Sequence, residues 1–222
     1  MITLQVSYLF HTFAREKKTD MKLVILTKST FFVEEDKILA ALFDEGMEML
    51  HISKPGSSPI FSERLLSLLP EEYYKKIVVH DHFYLKNEFG LAGIHLDSDA
   101  TPVPDGYRGK VSRTCTDLDK LREMKRNSQY VFLRNIFDSV SDKEQKGSFT
   151  TEQLLEASRK GLIDKKVYAM GGITLDNVRL VRDMGFGGVV VCGDLWNQFD
   201  IHNEVDYKQI IQRFNMFRKA VQ

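Results

Sequence analysis

Residues 167–193 read VYAMGGITLDNVRLVRDMGFGGVVVCG, and this stretch decides the architecture. Its first four residues form a short apolar run, and Gly171 and Gly172 then allow a backbone turn that residues bearing a Cβ resist. Thr174 is placed to cap a helix over 175–184, where Val178, Val181 and Met184 share one face and Gly185 supplies the stop. A second apolar run, 188–192, follows at once. Strand, glycine turn, helix and strand in this order are the pattern of parallel strands joined by a right-handed crossover.

The same pattern repeats outward from that unit. Further apolar runs lie at 130–134, 109–112, 91–96, 77–80, 47–52 and 22–27, making eight in all, the number that closes an α/β fold of the (β/α)8 TIM-barrel type. Several are apolar at nearly every position, as LVIL at 23–26 and VVVC at 189–192, which suits strands covered on both faces. Helical spacing recurs at 34–43, through Ile38, Leu39, Leu42 and Phe43, at 151–160 behind the potential cap Thr150, and from about 207 to 221. The links between the third and fourth runs and between the fourth and fifth are short or carry Pro102 and Pro104, so the helical ring is expected to be incomplete there. An open doubly wound sheet is the alternative architecture.

A chain of 222 residues suits one domain. With 43% hydrophobic and 28% charged residues it has the balance of a folded globule rather than a disordered chain. The 31 basic and 31 acidic side chains cancel, leaving no net field to draw nucleic acid or anionic lipid. Cys115 and Cys192 are far apart and lack metal-ligand spacing, which argues against a disulfide framework or zinc knuckle and fits a reducing cytoplasm. Residues 1–20 have neither a basic leader nor a small-residue cleavage site. They read as an N-terminal extension or non-native start, with a TIM-barrel catalytic domain over 21–222.

Reacting groups in such a barrel sit at the carboxyl ends of the strands. Gly171, Gly172, Cys192 and Gly193 end the last two runs, where exposed amides at a helix start suit a phosphate. His51, His80, Asp81, His82 and His95 gather at the ends of the second to fourth runs, and neighbouring strand ends are about 5 Å apart, so some of the imidazoles can converge. Asp81 suits a magnesium ion or the orientation of a base. Ser139, Ser141 and Lys143 follow the sixth run and suit an anionic phosphate or diphosphate, although the same loop reads equally as solvated surface.

The order of these motifs resembles the thiamine phosphate synthase and thiazole tautomerase superfamily over nearly the whole chain from Met21. The landmarks are VILT in the first strand, the segment 46–55, His80-Asp81, Gly93-Ile94-His95-Leu96, Val111-Ser112, Phe137 with Ser139 and Ser141, and Gly171-Gly172-Ile173-Thr174-Leu175-Asp176-Asn177. The resemblance implies an enzyme of thiamine biosynthesis that couples an aminopyrimidine methyl diphosphate to a thiazole phosphate. By position it implies a phosphate cradle of Gly171, Gly172, Cys192 and Gly193, a hydroxyl and lysine loop of Ser139, Ser141 and Lys143, and Ser112 at the reacting centre. It also implies Mg2+ on Asp81, for which Asp99 is a candidate second ligand, and His51 or His80 is the candidate base for the tautomerase branch.

Departures from the family pattern shape the alternatives. His51, Ser53 and Pro55 stand where the synthases carry Gln, Arg and Lys, leaving Lys54 as a partial substitute for two lost cations. Asp99 or Asp97 must replace a second metal carboxylate absent at Ala100. These losses favour the thiazole tautomerase branch, yet Ser112 is followed by Arg113, Thr114, Cys115 and Thr116 without that branch's histidine. A non-catalytic barrel binding thiazole or thiamine phosphate is a third reading, and a metal-dependent hydrolase, for which the first strand offers no His-x-His, ranks last. The expected partners are small phosphorylated substrates, with neither nucleic acid nor membrane, and a homo-oligomer is left open.

Overall fold

Eight parallel strands pair in chain order in a computed structural model that describes residues 21–140, 144–197 and 208–222. They are β1 (Lys22–Leu26), β2 (Leu50–Ile52), β3 (Ile77–Val79), β4 (Gly93–Leu96), β5 (Val111–Cys115), β6 (Val131–Leu133), β7 (Val167–Met170) and β8 (Gly188–Val191). β8 returns to β1 with Lys22 beside Gly188 and Ile25 beside Val191, so the ring is closed and the open-sheet alternative falls away. Gly188 is needed at that seam: a Cβ there would stand 2.7 Å from the Lys22 carbonyl oxygen and 3.0 Å from the Tyr168 ring. The 1–20 segment, with its expected role as an extension, lies outside the described residues.

Helices α1 (Glu35–Asp44), α2 (Pro59–Leu68), α3 (Leu85–Glu88), α4 (Leu121–Arg126), α5 (Thr151–Arg159), α6 (Val178–Asp183), α7 (Gly193–Trp196) and α8 (Lys208–Val221) surround the strands. The ring is thin where the sequence anticipates it. α3 has four residues, and the link from β4 to β5 has no helix. Arg113 ties that link down, its Nη1 donating to the carbonyls of Thr101 at 2.7 Å and Ser98 at 3.3 Å. α5 opens on a capping box, in which Thr150 Oγ1 accepts from the Gln153 amide and Gln153 Oε1 accepts from the Thr150 amide.

Alternation along the strands sorts the apolar side chains into two layers. Ile25, Leu50, Ile52, Ile77, Val79, Ile94, Val131, Leu133, Val189 and Val191 face outward into the main core with the helices. Val24, Leu26, Tyr130, Phe132, Tyr168 and Val190 face inward as a smaller cluster inside the ring.

Two elements depart from the sequence reading. β5 runs over Val111–Cys115 rather than 109–112, because Ser112 and Thr114 point inward while Arg113 points out to the loop, an alternation that hides a strand in polar residues. Ser112 therefore starts the strand and lies deep in the ring instead of ending it at the mouth. α6 begins at Val178, not at 175: Asn177, rather than Thr174, organises the turn, its Oδ1 accepting from the Thr174 amide and its Nδ2 donating to the Gly172 carbonyl.

Candidate active site

Three histidines meet inside the barrel. His51 is the inward residue of β2, His80 lies just past β3 and His95 is the inward residue of β4, and all three are buried. The His51 and His80 ring centroids are 5.1 Å apart, and His80 stacks on His95 at 4.2 Å.

Their hydrogen bonds fix a direction. Asp97, half exposed just beyond β4, accepts from His80 Nδ1–H at 2.8 Å. When His80 is neutral its Nε2 accepts, and His51 Nδ1–H, 2.8 Å away, donates to it. His51 Nε2 in turn accepts from the Tyr130 hydroxyl at 2.8 Å. His95 is held separately, with Nδ1 2.8 Å from Ser112 Oγ and Nε2 2.8 Å from Thr114 Oγ1. The Ser112 hydroxyl also reaches the Ile94 carbonyl at 3.4 Å, and the neutral His95 ring donates one of its two bonds and accepts the other.

Burial acts on this group as expected for a dry interior. It holds His51 and His95 well below the ordinary imidazole value, with neighbouring histidines adding to the effect, and pushes the Tyr130 phenol up. At neutral pH His51 and His95 are uncharged and act as neutral donors and acceptors.

The other sequence-predicted residues divide. Met170 pairs with Val190, so Gly171-Gly172 and Cys192 follow the ends of neighbouring strands at the carboxyl mouth, and Gly193 opens α7 there. Gly171 and Gly172 have φ of 99° and 65°, and a Cβ on Gly172 would lie 2.7 Å from Phe137 Cβ. Their glycine requirement thus also comes from packing against the loop after β6. Cys192 reaches the Thr27 carbonyl with its thiol at 3.5 Å, and burial pushes it up to about 11, so it is a packing residue at this mouth. Ser139 donates its amide to the Gln145 carbonyl, while Ser141 and Lys143 lie outside the described residues.

Asp81 accepts from the Lys54 amide at 2.8 Å, and Asp99 pairs with Lys120 at 2.5 Å. His82 sits apart from the cluster, with Nε2 donating to the Ser57 carbonyl at 3.0 Å. Lys54, the candidate substitute for the lost cations, is buried against Glu35, with Nζ 2.6 and 2.9 Å from the two carboxylate oxygens and 4.5 Å from the Phe31 ring centre. That cation is committed to the fold. Sequence reading singled out neither Tyr130 nor Thr114 nor Glu35. For the first two the signal was present, since period-two alternation places Tyr130 with Phe132 and Thr114 with Ser112 on the inner face.

A family model described as thiamine monophosphate synthase matches residues 34–195. The chain belongs to that family. The thiamine-phosphate synthase of Flavobacterium johnsoniae is 26% identical over 164 residues, spanning 68% of this chain and 72% of the relative. That of Serratia proteamaculans is 30% identical over 132 residues, 55% of this chain and 60% of the relative. Among solved structures, the thiamine phosphate pyrophosphorylase of Bacteroides thetaiotaomicron is 45% identical with a TM-score of 0.81, over 90% of this chain and 97% of its own. The thiamine phosphate pyrophosphorylase of Pyrococcus furiosus, at 17% identity and a TM-score of 0.69 over 92% of this chain and 96% of its own, repeats the fold. Thiamine-phosphate synthases are transferases of thiamine biosynthesis, and the chain is an enzyme of this type. Among the described residues no helix is long and apolar enough to cross a membrane.

Proposed function

We propose that the protein joins an aminopyrimidine methyl diphosphate to a thiazole phosphate, releasing pyrophosphate. The observation that supports this most is the placement of Gly171-Gly172 and Cys192-Gly193 after the ends of two neighbouring strands, at the carboxyl mouth of a family barrel. In this reading Gly171, Gly172, Cys192 and Gly193 hold the thiazole phosphate on their backbones, and Ser139, Ser141 and Lys143 hold the diphosphate. Asp81 and Asp99 offer hard carboxylate oxygens beyond β3 and β4, a donor chemistry that fits Mg2+, although both also have protein partners. When bound, that ion would neutralise charge on the departing pyrophosphate.

Ser112 acts in this reading through His95, which it holds, rather than on the substrate. His51 and His80 serve as a fixed polar wall, and the unpaired Cys115 and Cys192 suit a reducing cytoplasm. The test is formation of thiamine phosphate from the two substrates with Mg2+, with Asp81→Asn lowering kcat/KM by about 10²-fold. A companion calorimetric titration should show thiazole phosphate binding at least about tenfold more tightly than the dephosphorylated alcohol. Proton exchange on a thiazole carboxylate phosphate without coupling would transfer the assignment to the tautomerase branch.

A further inference from the structure

We propose that His51, His80 and His95 form a site for a first-row transition-metal dication of the Zn2+ class, inside the barrel and distinct from the carboxylates at its mouth. One nitrogen from each ring lies within 4.8 Å of the other two, and all three rings are buried. Barrel interiors are ordinarily filled by branched aliphatic side chains, so three converging imidazoles are an unusual use of that space. Nitrogen donors of this kind suit Zn2+, Co2+ or Ni2+ rather than Mg2+.

The outer partners carry the argument further. A histidine bound to a metal through one nitrogen usually gives its other N–H to a carboxylate, hydroxyl or carbonyl that fixes the ring. Each ring here already has such a partner: Asp97 on His80 Nδ1, Tyr130 on His51 Nε2, and Ser112 on His95 Nδ1. The nitrogens left over include His51 Nδ1 and His80 Nε2, which face one another at 2.8 Å. An ion bonded to both at roughly 2.0–2.1 Å in tetrahedral geometry needs them about 3.4 Å apart, so this pair parts by roughly half an ångström, while the His95 ring, stacked on His80, turns to aim a nitrogen at the same ion. The His51 proton moves from Nδ1 to Nε2, and the Tyr130 hydroxyl turns from donor to acceptor. His95 contributes one ring nitrogen by releasing the hydroxyl it contacts.

The full chain, stripped with a chelator and equilibrated with Zn2+ or Co2+ without substrate, tests this. One equivalent of Zn2+ per chain should be retained, and Co2+ should give the intense visible absorption of a tetrahedral site. His51→Gln and His95→Gln should each abolish stoichiometric retention. Tyr130→Phe and Asp97→Asn leave all three ligands in place and should keep the stoichiometry while weakening affinity about 10- to 100-fold. No retention above background, or undiminished retention when His51 and His95 are both Gln, would overturn the site. Because no substrate is present, such a result leaves the synthase reading untouched.

Discussion

The inside of this barrel has two walls of opposite character. Along β2, β3 and β4 it is lined by His51, His80 and His95, whose ring nitrogens are engaged by Asp97, Tyr130, Ser112, Thr114 or each other. Along β6, β7, β8 and β1 it is lined by Tyr130, Phe132, Tyr168, Val190, Val24 and Leu26, with Tyr130 and Tyr168 stacked at 4.8 Å. The apolar wall is held by contact area, which tolerates substitutions that conserve volume. The imidazole wall is held by directional bonds in a dry medium, where one missing partner strands another. A barrel that needed stability alone would use the first kind of wall all round.

Phe132 joins the walls, its ring centre 4.4 Å from His95, 4.8 Å from His51 and 5.6 Å from Tyr130. Phe132→Ala should give the largest loss, about 3–5 kcal/mol by urea unfolding, since it opens a cavity that both sides border. A loss below about 1 kcal/mol would mean that the two walls do not depend on one another.

His51→Leu keeps apolar bulk but removes the partner of the Tyr130 hydroxyl and of His80 Nε2. The same unfolding measurement should show about 2–3 kcal/mol lost, because the buried His80 Nε2 is orphaned and the Tyr130 hydroxyl keeps only its bond with Ser112. Equal stability would place His51 on the tolerant side of the comparison.

Acidity separates the walls more gently. His51 and His95 are held below the ordinary 6.5, mainly by burial, so below that pH the unfolded chain takes up protons that the barrel refuses. Stability from these groups is present in full above pH 6.5 and declines as the pH falls through it, by about 1.4 kcal/mol per pH unit for each histidine. A flat stability profile across that range would show that both rings accept protons without leaving the fold.

The ring of strands was legible because its signal is local: apolar runs, glycine turns and the Thr150 cap each declare themselves within a few residues. The glycine mouths followed from the same order. The partners of the histidines did not, because they depend on register between strands, as where His95 falls beside Ser112. β5 was misplaced for a related reason, its inward Ser112 and Thr114 being polar to meet His95 rather than apolar to meet a core. Lys54 looked like an available cation because nothing near it in sequence announces Glu35, 19 positions earlier, as its buried partner.

The seam between β1 and β8 joins nearly opposite ends of the described chain, and next to it the Met21 amide donates to the Val221 carbonyl. During synthesis β1 emerges long before residues 188–191, which pair with its flank in the closed ring. Closing this ring is therefore the last and most distant pairing to form, and a nascent chain stalled before Gly188 exposes an open sheet edge to its neighbours.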